Sequence, residues 1–243
     1  MSVRNMPARA EAHLQITLTT SSPTISLSQL NPSTPFQLIT TTRIVSASQE
    51  SSPITRSTNM SVLDNGGTGH HDGLFWGAFG MQSLSDPKRR IRLNFFGSPS
   101  YVERPVTPDI REWPWMRFKT IPAKGQGVLI VKHDLPLERM FQYDRTLKPA
   151  DIKPGEKFRV TMGSLRLGWV TWWAFGDLEG ALEGKKFAKW QLPDEEEGMT
   201  DLNLSEEEPD IDRMQAEGWV FSERHDKLTI SGNSDDAVFE FVE

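Results

Sequence analysis

The stretch Leu167–Trp190, LGWVTWWAFGDLEGALEGKKFAKW, holds four of the chain's eight tryptophans. Indoles bury large apolar areas, so a fold that accommodates this stretch must build a core around it. At period two, Trp169, Thr171 and Trp173 fall on one side of a strand, and Val170, Trp172 and Ala174 on the other. Apolar groups on both sides predict a central strand covered on both faces.

Alternation of the same period recurs along the chain. It predicts strands over His13–Thr20, Phe36–Ser46, Ile54–Leu63, Lys88–Phe96, Trp115–Ile121 and Gly127–His133, and at the end over Trp219–Phe221, Leu228–Ser231 and Ala237–Val242. In the last of these, Phe239 and Phe241 share one side, with Val238, Glu240 and Val242 on the other. Pro154-Gly155 reads as a β-turn feeding a further strand, proline presetting its dihedral and glycine taking the positive-φ position. Leu137–Tyr143 suits a single helical turn, and Leu178–Ala188 a short helix weakened by Gly180 and Gly184. The expected architecture is all-β: a single antiparallel, Ig-like β-sandwich spanning residues 13–243, with long Pro/Gly loops and one or two short helices. Residues 1–12 are expected to be a flexible arm.

The net charge of −6 is concentrated in one place. Gln191–Asp212 carries ten acids and no basic residue, so the rest of the chain is mildly basic. High charge with few aromatics predicts a disordered acidic insertion over residues 191–214. The body's basic residues, Lys88 to Lys119, are interleaved with Asp86, Glu103, Asp109 and Glu112, which reads as a solvated strand face rather than a nucleic-acid surface. The chain has no cysteine. Together with an N-terminus that lacks the apolar middle of a secretory signal and no run long enough to span a bilayer, this points to a cytoplasmic or nuclear protein without membrane contact.

Three groupings carry possible chemistry. Asp64–Gly73, DNGGTGHHDG, places His70, His71 and Asp72 in a glycine-rich turn. His70 and Asp72 have the spacing of two ligands of a metal triad, to which His133 or His225 would add a third, but the same letters also suit a solvated turn. Asp177 and Glu179, beside the tryptophans, have the composition of a glycosidase acid pair, against which stands a capping role for Asp177 at the start of a turn. Two loops rich in aromatics, Asp64–Trp76 and Trp113–Trp115, supply the third grouping: in them His70, His71, Asp72, Trp76, Trp113 and Trp115 form the expected contact surface.

The combination of Trp172-Trp173-Ala-Phe-Gly-Asp-Leu-Glu-Gly, Lys185-Lys186-Phe-Ala-Lys-Trp190, Glu217-Gly-Trp-Val-Phe and the terminal Val238-Phe-Glu-Phe-Val resembles uncharacterised fungal Ig-like β-sandwich proteins. The resemblance implies a fold and a fungal origin, and brings no activity, ligand or catalytic residue. The expectation for function is a non-enzymatic intracellular module that binds a protein or small molecule and needs no cofactor. The competing expectation is an enzyme of specialised metabolism, using the His/Asp metal site or the carboxylate pair.

Overall fold

The computed structural model describes residues 10–28, 35–66, 71–94, 107–144, 146–192 and 210–243. In chain order the strands begin with β1 (Ala12–Thr20), β2 (Thr24–Ser26), β3 (Gln37–Ala47), β4 (Ile54–Ser57), β5 (Phe79–Ser83), β6 (Arg90–Arg92), β7 (Phe118–Ile121) and β8 (Leu129–Asp134). Helix α1 (Leu137–Phe141), β9 (Lys157–Met162), α2 (Ser164–Leu167), β10 (Trp173–Phe175) and β11 (Lys186–Gln191) follow. The chain ends with α3 (Ile211–Ala216), β12 (Trp219–Ser222), β13 (Leu228–Asn233) and β14 (Val238–Val242). Among the described residues no helix is long and apolar enough to cross a membrane.

The fold is all-β, its strands arranged in two larger sheets, ordered β13-β1-β3-β8 and β2-β14-β9-β5-β6. Both bury side chains in the same core. Ile16 and Leu18 of β1, Leu38 of β3 and Val131 of β8 come from the first sheet, and Phe79, Met81, Phe158, Val160, Phe239 and Phe241 from the second. The alternation read from the sequence is the cause: in β1 every second residue from Ala12 to Leu18 is buried, and in β14 only Phe239 and Phe241 are. Phe239 touches Phe36 at 5.1 Å and Phe241 touches Phe158 edge-on at 5.5 Å, so the terminal strand closes the core.

The sheets are mixed rather than antiparallel throughout. β1 runs parallel to β13, β2 parallel to β14, and β11 parallel to β12. Alternation fixes which face of a strand is buried and says nothing about the direction of its neighbour, so the antiparallel expectation is corrected here.

A third, three-stranded sheet, β10-β4-β7, carries Trp173, and Trp172 immediately precedes its strand β10. Trp172 and Trp173 are fully buried and enter different clusters: Trp173 joins Leu14, Ile44, Ile54 and Ile121, while Trp172 joins Ile110, Leu182 and Phe187. Coverage on both faces is thus confirmed, but the strand spans only Trp173–Phe175. Trp169 lies in the loop after α2, its main-chain carbonyl taken by a side chain rather than by a ladder. The predicted strand over Ile54–Leu63 likewise stops at Ser57, because Met60 turns the chain with φ of 63°.

The helix expected over Leu178–Ala188 is absent. Gly176 and Gly184 have φ of 127° and 66°, which starts and ends a run of turns, and β11 begins at Lys186. Extension there lays Phe187 flat on Trp172, with ring centroids 4.1 Å apart and planes 8° from parallel. Among the described residues three short α-helices form instead of one or two, the predicted turn at Leu137 being α1. Both ends of the expected acidic insertion are structured, since Gln191 closes β11 and Met214 is buried within α3. Residues 193–209, and residues 1–9 of the expected arm, lie outside the described residues, and Ala12 at the end of that arm is already buried in β1.

Candidate functional site

The described parts of the loop between β4 and β5, residues 58–66 and 71–78, are tied down by two carboxylates. Asp64 accepts the Met60 amide at 2.8 Å and lies 3.3 Å from Arg117 Nε. Asp72 accepts the Phe75 amide through Oδ1 at 3.0 Å and the Arg139 Nη2 donor through Oδ2 at 2.5 Å. Arg117 enters just before β7 and Arg139 sits on α1, so two remote elements hold one loop. Arg117 also donates from Nη2 to the His71 carbonyl at 3.1 Å. At Gly73 a Cβ would stand 2.5 Å from the Ser61 carbonyl oxygen, and only glycine lets these two stretches of backbone approach.

The result is an aromatic cluster at the protein surface. His71 stacks on Phe75 with centroids 4.4 Å apart, and Trp76 meets Phe75 edge-on at 5.1 Å and His71 at 5.8 Å. Tyr143, just past α1, approaches Phe75 edge-on at 5.9 Å. His71 is exposed; Phe75, Trp76 and Tyr143 are half-buried. Rings that pack on one another while keeping a face in water are what interface anchors require.

Charge beneath this cluster is perturbed by burial. Asp64 is pushed above the usual carboxylate value by desolvation, against which the Met60 amide and the Arg117 cation pull it down. His133, on β8, is buried and held down to about 4 by desolvation. Its Nε2 lies 3.0 Å from the Val62 carbonyl, which can only accept, so Nε2 carries the proton and the ring is neutral. Lys119 on β7 is likewise lowered by desolvation. No family model matches this chain, and neither the curated proteins nor the solved structures provide a match. What the site does must follow from its own chemistry.

Of the residues proposed as metal ligands, Asp72 and His133 feel one another electrostatically; Asp72 is engaged by Arg139 and Phe75, while His133 spends Nε2 on Val62 and its buried Nδ1 has no hydrogen-bond partner. His225 lies elsewhere, with Nδ1 3.1 Å from Gln191 Nε2 and a ring close enough to Arg56 to feel its charge. His70 lies outside the described residues. Among the described residues no three His, Asp or Glu side chains assemble into a group able to hold a metal.

Asp177 Oδ1 accepts the Glu179 amide at 2.9 Å and its carbonyl accepts the amides of Gly180 and Leu182, so its carboxylate organises the turns, while Glu179 is exposed. Trp113 donates from Nε1 to the Thr107 carbonyl at 3.0 Å and packs on the Trp172 cluster, with Trp115 leaning on it at 5.7 Å. These two tryptophans are thus anchored in the structure, and Trp76 is the ring of the expected surface that joins the His71 cluster. Asp64 and Phe75 lie within the Asp64–Trp76 loop expected to carry the contact surface, whereas Arg117, Arg139 and Tyr143 were not expected to belong to it. Phe75 was legible beside Trp76, whereas nothing local marks Arg117 or Arg139 as the partners of acids 53 and 67 positions away.

Proposed function

We propose that this protein is a non-enzymatic binding module of Ig-like sandwich type, and that His71, Phe75, Trp76 and Tyr143 form the surface that engages a partner protein through an apolar side chain. The single observation that carries this reading is the ring cluster on a loop pinned by Asp64–Arg117 and Asp72–Arg139. A loop fixed before the partner arrives loses little further conformational freedom on association, which favours binding. The sandwich reading is supported by one core shared between two sheets, and its parallel edge pairs are tolerated departures from a simple meander. The metal-enzyme alternative would need Asp72 free to ligate, and its engagement with Arg139 weighs toward binding.

Cross-linking and mass spectrometry in an extract of the source organism test the proposal. Wild-type protein is expected to enrich a defined partner that Trp76→Ser and Tyr143→Ser fail to enrich, with unchanged circular dichroism. Equal enrichment by all three proteins would move the contact surface elsewhere.

A further inference from the structure

Arg56, at the centre of β4, is fully buried. Its Nε donates to the Ser57 carbonyl at 3.1 Å and its Nη2 to the Trp169 carbonyl at 2.5 Å, while Nη1 is buried with no hydrogen-bond partner. Both acceptors are neutral carbonyls. Among the described residues no carboxylate pairs with this cation, although a buried charge ordinarily needs a counter-charge. Lys119, its cross-strand partner on β7, is itself a cation and supplies no counter-charge, and the charges it feels are those of Asp64 and Arg117. Trp173, its partner on β10, is apolar at this face and spends its indole N–H on the Arg224 carbonyl. His225 is held below its usual pKa, first by burial and further by the Arg56 charge, and supplies no anion.

Trp169 connects Arg56 to a second cation in the same condition. The Arg166 guanidinium lies over the Trp169 ring, 5.1 Å from its centroid, and its Nη1 is also buried without a partner. Burial lowers its pKa with no acid to oppose the shift. The indole Nε1 of Trp169 is the third orphan. Three buried N–H donors without acceptors therefore belong to one tryptophan and to the two arginines that touch it. A water molecule would satisfy a donor but leave both charges unbalanced; an anion does both.

We propose that the Trp169 loop is a binding site for a small oxyanion, a phosphate or carboxylate group held by Arg56, Arg166 and the Trp169 indole N–H. Arg56 is sealed from solvent, whereas Arg166 and Trp169 are half-buried, so the ligand enters past the indole with Arg166 as its outer clamp. The two guanidinium forks supply charge and planar donors together, the combination that distinguishes oxyanions from halides. This site shares no residue with the His71 surface and stands independently of the partner proposed for it.

Thermal melting of the full chain, in inorganic phosphate, sulfate or acetate against chloride at matched ionic strength, is the test. Stabilisation is expected to rise and saturate with at least one oxyanion and to be missing in chloride. A response to phosphate and sulfate alone assigns a phosphoryl-type ligand; a response to acetate assigns a carboxylate. Arg166→Met, at a half-exposed position, is expected to weaken the response about tenfold or more without changing the fold. Arg56→Met is expected to abolish it, and to be no less stable than wild type in chloride, because it removes a charge that lacks a counter-ion. Equal melting in every salt overturns the proposal, as does an Arg166→Met response matching wild type, even if Arg56→Met does not fold.

Discussion

Trp172 and Phe187 stack face to face with centroids 4.1 Å apart, and both are fully buried. Phe118 closes the group edge-on to each, at 5.5 Å and 5.0 Å. This contact requires Lys186–Gln191 to be extended, and it outweighs the helical composition of the preceding residues. Phe187→Ala is expected to destabilise the protein by about 3–5 kcal/mol, as other buried Phe truncations do. A double-mutant cycle with Trp172→Leu, followed by urea denaturation, is expected to show a coupling of about 0.5–1.5 kcal/mol.

His133 makes stability depend on pH in a definite direction. Its folded pKa of about 4 lies below the ordinary value of 6.5, so the unfolded chain takes up the proton first as pH falls. Its contribution is complete above the ordinary value and is lost as pH drops through the window down to about 4, with an upper bound of about 3 kcal/mol. His225, also lowered by burial, acts in the same direction. Urea midpoints are expected to fall between neutral pH and pH 5, and His133→Gln, which keeps a donor for Val62, is expected to flatten that fall without removing it.

Asp72 and Arg139 hold the aromatic loop to α1, with the carboxylate almost wholly buried and the guanidinium partly exposed. Arg139→Ala leaves a buried acid without its partner and is expected to cost about 1–3 kcal/mol. Asp72→Asn is expected to cost less, since the amide still accepts the Phe75 N–H. Hydrogen exchange should show faster exchange at residues 71–77 in Arg139→Ala, and unchanged exchange there would mean the ion pair does not order the loop.

Two glycines separate rigid from adjustable contacts. A Cβ at Gly73 meets the Ser61 carbonyl oxygen at 2.5 Å, whereas one at Gly232 meets the ends of the Leu167 and Met162 side chains at 2.7 Å and 3.0 Å. Backbone cannot step aside and side-chain termini can. Gly73→Ala is expected to cost about 1–3 kcal/mol or more, and Gly232→Ala clearly less, when their thermal melting points are compared.

The tryptophan stretch and the alternation of β1, β3 and β14 were enough to place the core, because burial of apolar area depends on residue type and period. Gly155, with φ of 87°, and Asp177 at its turn were legible for an equally local reason: backbone dihedrals and amide contacts within a few residues. Partners distant in the chain were not. The parallel pairing of β1 with β13 joins Leu14 to Ile230, and the clamps on Asp64 and Asp72 come from Arg117 and Arg139. Arg56 shows the divide most sharply, since its neighbours Ile54 and Thr58 are those of an ordinary strand and only the packed sheets bury it without a carboxylate. The chain by itself thus determined which apolar side chains leave water; the tertiary structure decided which charges are buried with them and which face one another there, because that depends on distances no local pattern encodes.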